Sequence, residues 1–230
     1  MLLNIERNLE VVNQLIQQAA DNAERNIEDI TLIAVTKTVT VKEVKEAISQ
    51  GITDIGENRV QELLKKYEEL GDAVRWHMIG HLQKNKVKYI VDKVDFIHSV
   101  DSLSLAEEIE KRAAKINRPI NCLVEVNISG EDSKHGLEPT EVKSFIKKLD
   151  EFKYLRVMGL MTMAPYVEDP EATRKYFKGL RNLSEEIKKI PLNQVSMSYL
   201  SMGMSNDFQV AIEEGANMVR IGSAIFTTEA

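Results

Sequence analysis

The chain has 230 residues, 43% hydrophobic and 29% charged, with a formal net charge of -6 at pH 7. That length fits one domain or two small ones, a single β/α barrel included, and that composition excludes an intrinsically disordered chain. The acidic balance argues against non-specific nucleic-acid binding, which needs excess Lys and Arg to displace counterions, and no apolar run reaches the roughly 18 residues of a membrane span.

The first predicted element is an amphipathic helix over 1–26. Ile5, Leu9, Val12, Ile16, Ala19 and Ala23 recur there at three- and four-residue steps. The opening Met1-Leu2-Leu3-Asn4-Ile5-Glu6 lacks the basic-then-apolar layout of a signal peptide. Ile30 to Thr36 is nearly continuous in apolar and β-branched residues, the pattern of a strand buried on both faces of a parallel sheet. Thr40-Val41-Lys42-Glu43 reads as a capping box opening a helix that Gly51 stops.

The alternation then repeats. Further strands are predicted at Thr53–Gly56, Val74–Ile79, Phe96–Ser99, Ile120–Ile128, Leu155–Leu160, Gln194–Ser196 and Met218–Ile221. Helical faces lie between them: Val60, Leu63, Leu64 and Tyr67; Leu105, Ile109, Ala113 and Ile116; Tyr176, Leu180, Leu183 and Ile187. Asp169-Pro170 supplies an N-cap and first-turn pair for the last of these. About eight strands, each flanked by a helix, predict one α/β domain over 1–230. It reads as a modified (β/α)₈ TIM-type barrel over 30–226 with an extra N-terminal helix. A doubly wound open sheet is the alternative, but the first strand is not followed by Gly-x-Gly-x-x-Gly.

The single cysteine, Cys122, excludes an intramolecular disulfide framework and a cysteine-rich zinc site, and fits a cytoplasmic location. The four histidines, His77, His81, His98 and His135, match no zinc-binding spacing, so no metal site is expected. Lys84, Lys86 and Lys88 read as a solvated face.

In parallel α/β folds the working residues lie just past the carboxyl ends of strands. Lys37 follows the first strand. There it is either a lysine snorkelling into water or an amine partly desolvated by apolar walls, and so a nucleophile toward a carbonyl. Ser201-Met202-Gly203-Met204-Ser205 and Gly222-Ser223 follow the last two strands. They are either simple turns or a phosphate cradle of backbone N–H and hydroxyl donors, with Ser205 also suited to cap the next helix. Arg220 closes an apolar strand, where it either pairs with a carboxylate or faces a ligand.

Taken together, several segments resemble one family. They are Ala34-Val35-Thr36-Lys37, Gly56-Glu57-Asn58-Arg59-Val60-Gln61-Glu62, Trp76-His77-Met78-Ile79-Gly80-His81-Leu82-Gln83, Gly159-Leu160-Met161-Thr162-Met163, Leu200-Ser201-Met202-Gly203-Met204-Ser205 and Val219-Arg220-Ile221-Gly222-Ser223. Over Ile30 to the C-terminus the chain is similar to the pyridoxal 5′-phosphate (PLP) homeostasis proteins, single-domain relatives of the alanine racemase N-terminal barrel. The resemblance implies PLP held on Lys37 as an internal aldimine. It implies phosphate contacts from Ser201, Gly222 and Ser223 and from the backbone of Met204. It implies Arg220 at the pyridine nitrogen and Asn58 along the ring; His81 is a motif residue without an assigned role. One departure is Thr227, where relatives often have glycine after the phenylalanine.

Three functions are weighed on this basis: a PLP carrier or buffer, a PLP-dependent amino-acid racemase, and a cofactor-free aldolase using Lys37. In the racemases a second acid/base, a tyrosine, comes from an additional C-terminal domain, and this sequence ends at Ala230. The expectation is therefore a cytoplasmic, monomeric PLP-binding protein with apo-PLP enzymes as acceptors, and no nucleic-acid, membrane or metal partner.

Overall fold

The computed structural model describes residues 4–131 and 134–227. The N-terminal helix is α1, Ile5–Asn22, and Asn4 caps it by accepting from the Arg7 N–H at 2.9 Å. It is shorter than the predicted 1–26, and residues 1–3 of that prediction lie outside the described residues. In order there follow β1 (Thr31–Val35), α2 (Val41–Ser49), β2 (Asp54–Glu57), α3 (Val60–Leu70), β3 (Arg75–Met78), α4 (Val87–Ile90), β4 (Phe96–Val100) and α5 (Leu103–Lys115). The second half comprises β5 (Ile120–Glu125), α6 (Pro139–Leu149), β6 (Leu155–Met161), α7 (Arg174–Lys188), β7 (Val195–Met204), α8 (Phe208–Glu213), β8 (Met218–Ile221) and α9 (Ser223–Phe226).

The eight strands close into a barrel in chain order, and the seam is parallel β1–β8 pairing from Thr31↔Met218 to Ala34↔Ile221. Closure removes the unpaired edges that an open sheet would expose. The apolar strand runs are used twice. Outward residues pack under the helices in one large core, while Ile33, Phe96, Leu123, Met161 and Met218 pack on each other inside the barrel. Side chains alternate along a strand, so positions two residues further on point inward one layer nearer the carboxyl-end mouth. Those positions include His98, Glu125 and Arg220.

The α1 helix packs on α2, α8 and α9 beside the β1–β8 seam. Arg25 ties the chain after it to the barrel by donating to the Ile212 and Ala216 carbonyls, each at 2.7 Å. The predicted capping box is present: the Thr40 N–H donates to Glu43 Oε2 at 2.7 Å and the Glu43 N–H to Thr40 Oγ1 at 3.4 Å. Asp169 caps the 3₁₀ turn Pro170–Thr173 that leads into α7. Thr227 adopts φ -113° and ψ 141°, so its place after Phe226 needs no glycine.

Two strand predictions are corrected. The fifth strand ends at Glu125, not Ile128, because the Asn127 side chain turns the chain by accepting from Ser129 Oγ and the Gly130 N–H. The seventh runs from Val195 through Met204, not to Ser196, since Ser198 and Ser201 are strand residues and not loop. It bends at Gly203, where φ is +93° and a Cβ would lie 2.6 Å from that of Ala211, and Met204 beyond it still pairs with Arg220.

Candidate functional site

The mouth is organised around the end of β1. The Val39 N–H donates to the Thr36 carbonyl at 3.0 Å, closing a tight turn with Lys37 at its tip. The turn holds Thr38 at φ +69°, a left-handed conformation that costs a β-branched residue about 1–2 kcal/mol. It also lifts Lys37 into solvent, with no hydrogen bond or ion pair to any described residue. Of the two readings of Lys37, the solvated one holds, because the turn carries the side chain clear of the apolar walls. The root of the turn is fixed from below. Buried Lys66 donates to the Thr36 carbonyl at 2.7 Å and pairs with buried Glu57 at 2.5 Å, and Thr36 Oγ1 donates to the same carboxylate oxygen.

Strand register brings the neighbours in. Ala34 pairs with Ile221, which sets Gly222-Ser223 on one side of Lys37; Val35 pairs with Gly56, which sets half-buried Asn58 on the other. A Cβ on Gly222 would stand 3.1 Å from the Val35 carbonyl oxygen, so glycine permits this approach. The N–H groups of Gly222 and Ala224 converge on the Ser205 hydroxyl, each at 3.3 Å. Ser223 is exposed beside them.

Ser205 does not cap α8, as the sequence allowed. Asp207 holds that position and accepts from the Met204 N–H at 2.7 Å. The Met204 backbone donor predicted for phosphate is therefore engaged by a carboxylate. Ser201 is not in the loop at all; it is a fully buried strand residue facing the barrel interior.

Ser201 belongs to a chain of buried polar groups. Arg220 Nη1 donates to Ser201 Oγ at 2.5 Å and Arg220 Nη2 to the Thr162 carbonyl at 2.9 Å. Ser201 Oγ lies 2.9 Å from His98 Nδ1, His98 Nε2 lies 2.9 Å from His77 Nδ1, and His77 Nε2 lies 2.9 Å from Asp54 Oδ1. One donor direction satisfies every group. Asp54 accepts from His77 Nε2–H, His77 Nδ1 from His98 Nε2–H, His98 Nδ1 from the Ser201 hydroxyl, and Ser201 from Arg220. Burial, with His77 and Arg220 nearby, holds His98 well below the usual imidazole range, so it stays neutral as this direction requires. Burial raises the Asp54 carboxyl, but hydrogen bonds from His77, Arg75 and Thr53 outweigh it and leave it below the ordinary value.

Arg220 makes no ion pair among the described residues. Burial pushes its guanidinium down to about 10, against the opposing fields of Glu125 and Asp207. Glu125 is the inward residue at the end of β5, and its carboxyl makes no hydrogen bond among the described residues. Burial and then Asp101 raise it to about 7, against Arg220. Asp54, His77, His98 and Glu125 were not singled out from sequence as site residues. The inward alternation of β2, β3, β4 and β5 carries the signal, but in a mostly apolar run it is indistinguishable from core. Of the two roles open to Ser205, the cap is not taken, and its hydroxyl meets the Gly222 and Ala224 N–H groups instead.

The chain matches the family described as alanine racemase, N-terminal domain, over residues 4–230. It is 46% identical over 225 residues to the pyridoxal phosphate homeostasis protein of Aquifex aeolicus (strain VF5), covering 97% of this chain and 98% of that one. Among solved structures it is similar to a protein of unknown function from Bifidobacterium adolescentis, with TM-score 0.90, 35% identity and coverage of 96% and 94%. It is also similar to PipY of Synechococcus elongatus PCC7942 with PLP bound, with TM-score 0.80, 31% identity and coverage of 92% and 99%.

The raised Glu125 carboxyl has a stability consequence with a definite sign. A group whose folded value lies above its unfolded one (about 4.3) stabilises at low pH and loses that contribution as pH rises through the folded value, here about 7. Glu125→Gln removes this dependence. Urea unfolding should show the variant gaining about 2–3 kcal/mol on the native protein between pH 5 and pH 8. An identical pH dependence in both proteins would contradict a buried, neutral Glu125.

Proposed function

The chain belongs to the pyridoxal phosphate homeostasis proteins of the alanine racemase N-terminal domain family, and from that premise we propose that it holds PLP in the barrel mouth as an intracellular carrier and buffer. The observation that carries this reading is the convergence, at adjoining strand ends, of an exposed lysine without a partner among the described residues, a buried guanidinium and a pair of backbone N–H groups. The residues present fit the group. Gly222 leaves the space that a Cβ would fill against Val35, and the N–H groups of Gly222 and Ala224 are held by a single hydroxyl at 3.3 Å, a long contact that a phosphate oxygen can displace or share.

When bound, PLP supplies an aldehyde for covalent attachment and a ring that can delocalise negative charge. Lys37 would hold PLP covalently through its side-chain amine. Ser205, Gly222 and Ser223 hold the phosphate, with the N–H of Ala224 added. Ser201 is withdrawn from this set, and it anchors Arg220 instead. Asn58 lies along the ring from the β2 side. Arg220 remains protonated at neutral pH and carries donors only, so facing the pyridine nitrogen it leaves that nitrogen without a proton. The ring would then be a weaker electron sink than one paired with a carboxylate, which narrows broad PLP chemistry without excluding racemisation. The exposed position of Lys37 leaves its bond to the cofactor open to water and to exchange with an acceptor such as an apo-PLP enzyme. An aldolase using Lys37 alone would leave the cradle useful but give Arg220 no part. We place the protein in the cytoplasm as a monomer.

Three outcomes are expected. Lys37→Ala, at an exposed turn, should stay folded and lose the borohydride-trapped PLP adduct by mass mapping; an adduct on another lysine would overturn the assignment. Ser205→Asp should weaken PLP binding by at least about 10-fold while unphosphorylated pyridoxal is little affected. Equal losses would exclude the cradle. Holo-protein mixed with an apo-PLP enzyme should restore that enzyme's activity, while racemisation of L-alanine stays near the rate of free PLP. Racemisation at about 1–1000 per second would replace the carrier reading with an enzymatic one.

A further inference from the structure

His81, Asp101 and His135 are far apart in sequence and match no metal-binding spacing. The barrel brings them together. His81 follows β3, Asp101 follows β4, and His135 lies in the connection after β5, so three successive strand ends converge on one arc of the mouth. One ligand atom from each lies within 4.8 Å of the other two. His81 Nδ1 is 3.7 Å from Asp101 Oδ2, beyond hydrogen-bond length, and neither exposed imidazole makes a hydrogen bond among the described residues. The two rings stack, with centroids 4.2 Å apart and planes 14° from parallel.

Several contacts among the described residues tie down the backbone near these side chains. Gly80 packs against Asn58 so closely that a Cβ would stand 2.3 Å from its carbonyl oxygen, and Ser99 Oγ donates to the Gly80 carbonyl at 2.7 Å. The His135 connection is held by the Asn127 N–H donating to the Leu137 carbonyl at 2.9 Å and by Lys134 Nζ donating to the Met163 carbonyl at 3.2 Å. Lys134 is also paired with Glu131 at 2.8 Å, which partly offsets its charge beside the cluster. Among the described residues the two imidazoles thus have no hydrogen-bond partner and converge with Asp101 on one arc of the mouth.

We propose that His81, Asp101 and His135 bind one divalent cation of the zinc class, with open positions left to water. Two imidazoles and a carboxylate suit Zn²⁺, Co²⁺ or Ni²⁺, whereas Mg²⁺ prefers an all-oxygen shell. Ligand atoms on a tetrahedral zinc are about 3.3 Å apart. The triad must therefore close by about 1.5 Å, with the imidazoles turning from stacked to convergent, which exposed side chains do by rotamer change. In the closed ring of strands β4 stands opposite β8, so the ion sits across the mouth from the Ser205–Gly222 cradle. The inference does not rest on the cofactor assignment.

The test is titration of the untagged, metal-stripped full chain with Co²⁺, followed by the visible d–d absorption, and with Zn²⁺ by calorimetry. The expected result is one saturable equivalent and a raised Tm. His77 and His98 are buried inside the barrel, so binding should report the exposed pair. His81→Ala and His135→Ala should each weaken binding at least about 10-fold, and Asp101→Asn several-fold, with the variants' metal-free Tm preserved. Excess Mg²⁺ should not displace Co²⁺. The proposal is overturned if no saturable equivalent binds, if the His81→Ala/His135→Ala double variant keeps the native affinity, or if Mg²⁺ competes. Because borohydride trapping at Lys37 is read separately, failure of either reading leaves the other standing.

Discussion

A guanidinium buried inside a barrel is the constraint around which the site is built. Arg220 cannot be left there without acceptors, since an unpaired buried charge costs several kcal/mol. Its neighbours on β6 and β7 answer that demand through the Thr162 carbonyl and the Ser201 hydroxyl. Once Ser201 accepts from arginine, its own proton needs a partner, and His98 supplies one. The requirement passes to His77 and ends at Asp54, a carboxylate that Arg75 also reaches at 2.7 Å. The chain thus crosses the interior and terminates on a charge of opposite sign. A half-satisfied network of this kind would be worse than an apolar core, and here every member has its partner.

The same logic of fixing one group so that another can be free recurs at the mouth. Lys66 and Glu57 are buried together under the β1 turn, where desolvation offsets most of their attraction. Their contribution is positional. Glu57 and Lys66 bond Thr36, the residue before Lys37, and Glu57 itself precedes Asn58. One internal pair therefore sets the roots of two predicted site residues while leaving the lysine amine in solvent. The strained Thr38 at φ +69° belongs to the same arrangement, because the turn it completes lifts Lys37 off the barrel.

Charge is distributed unevenly over the mouth. The β7–β8–β1 side offers N–H donors, an arginine and a lysine, which suits an anion. The β3–β5 side offers Asp101, Glu125 and two imidazoles, which suits a cation. An acidic chain can still present a local anion site because fields in a low-dielectric cleft depend on the nearest groups more than on net charge.

The sequence by itself determined the barrel and its order of elements. Apolar β-branched runs, the Thr40–Glu43 capping box and the Asp169-Pro170 start are local signals, written within a few residues of the structure they produce. It also placed Lys37, Arg220, Gly222 and Ser223 at or just past strand ends, because a strand end is a local feature once the strand is recognised, while the role expected of Asn58 came from the family resemblance. What only the tertiary structure decided is which side chains meet. Ser201 and Ser205 share one serine-rich segment, yet strand pairing with β6 turns the first inward to Arg220, and the bend at Gly203 turns the second toward Gly222. His77 with His98, and His81 with His135, are paired by barrel closure across 21 and 54 residues of sequence. No periodicity encodes such pairs, since a hydrogen bond or a ligand set depends on distance in space, and only the register of parallel strands fixes that distance.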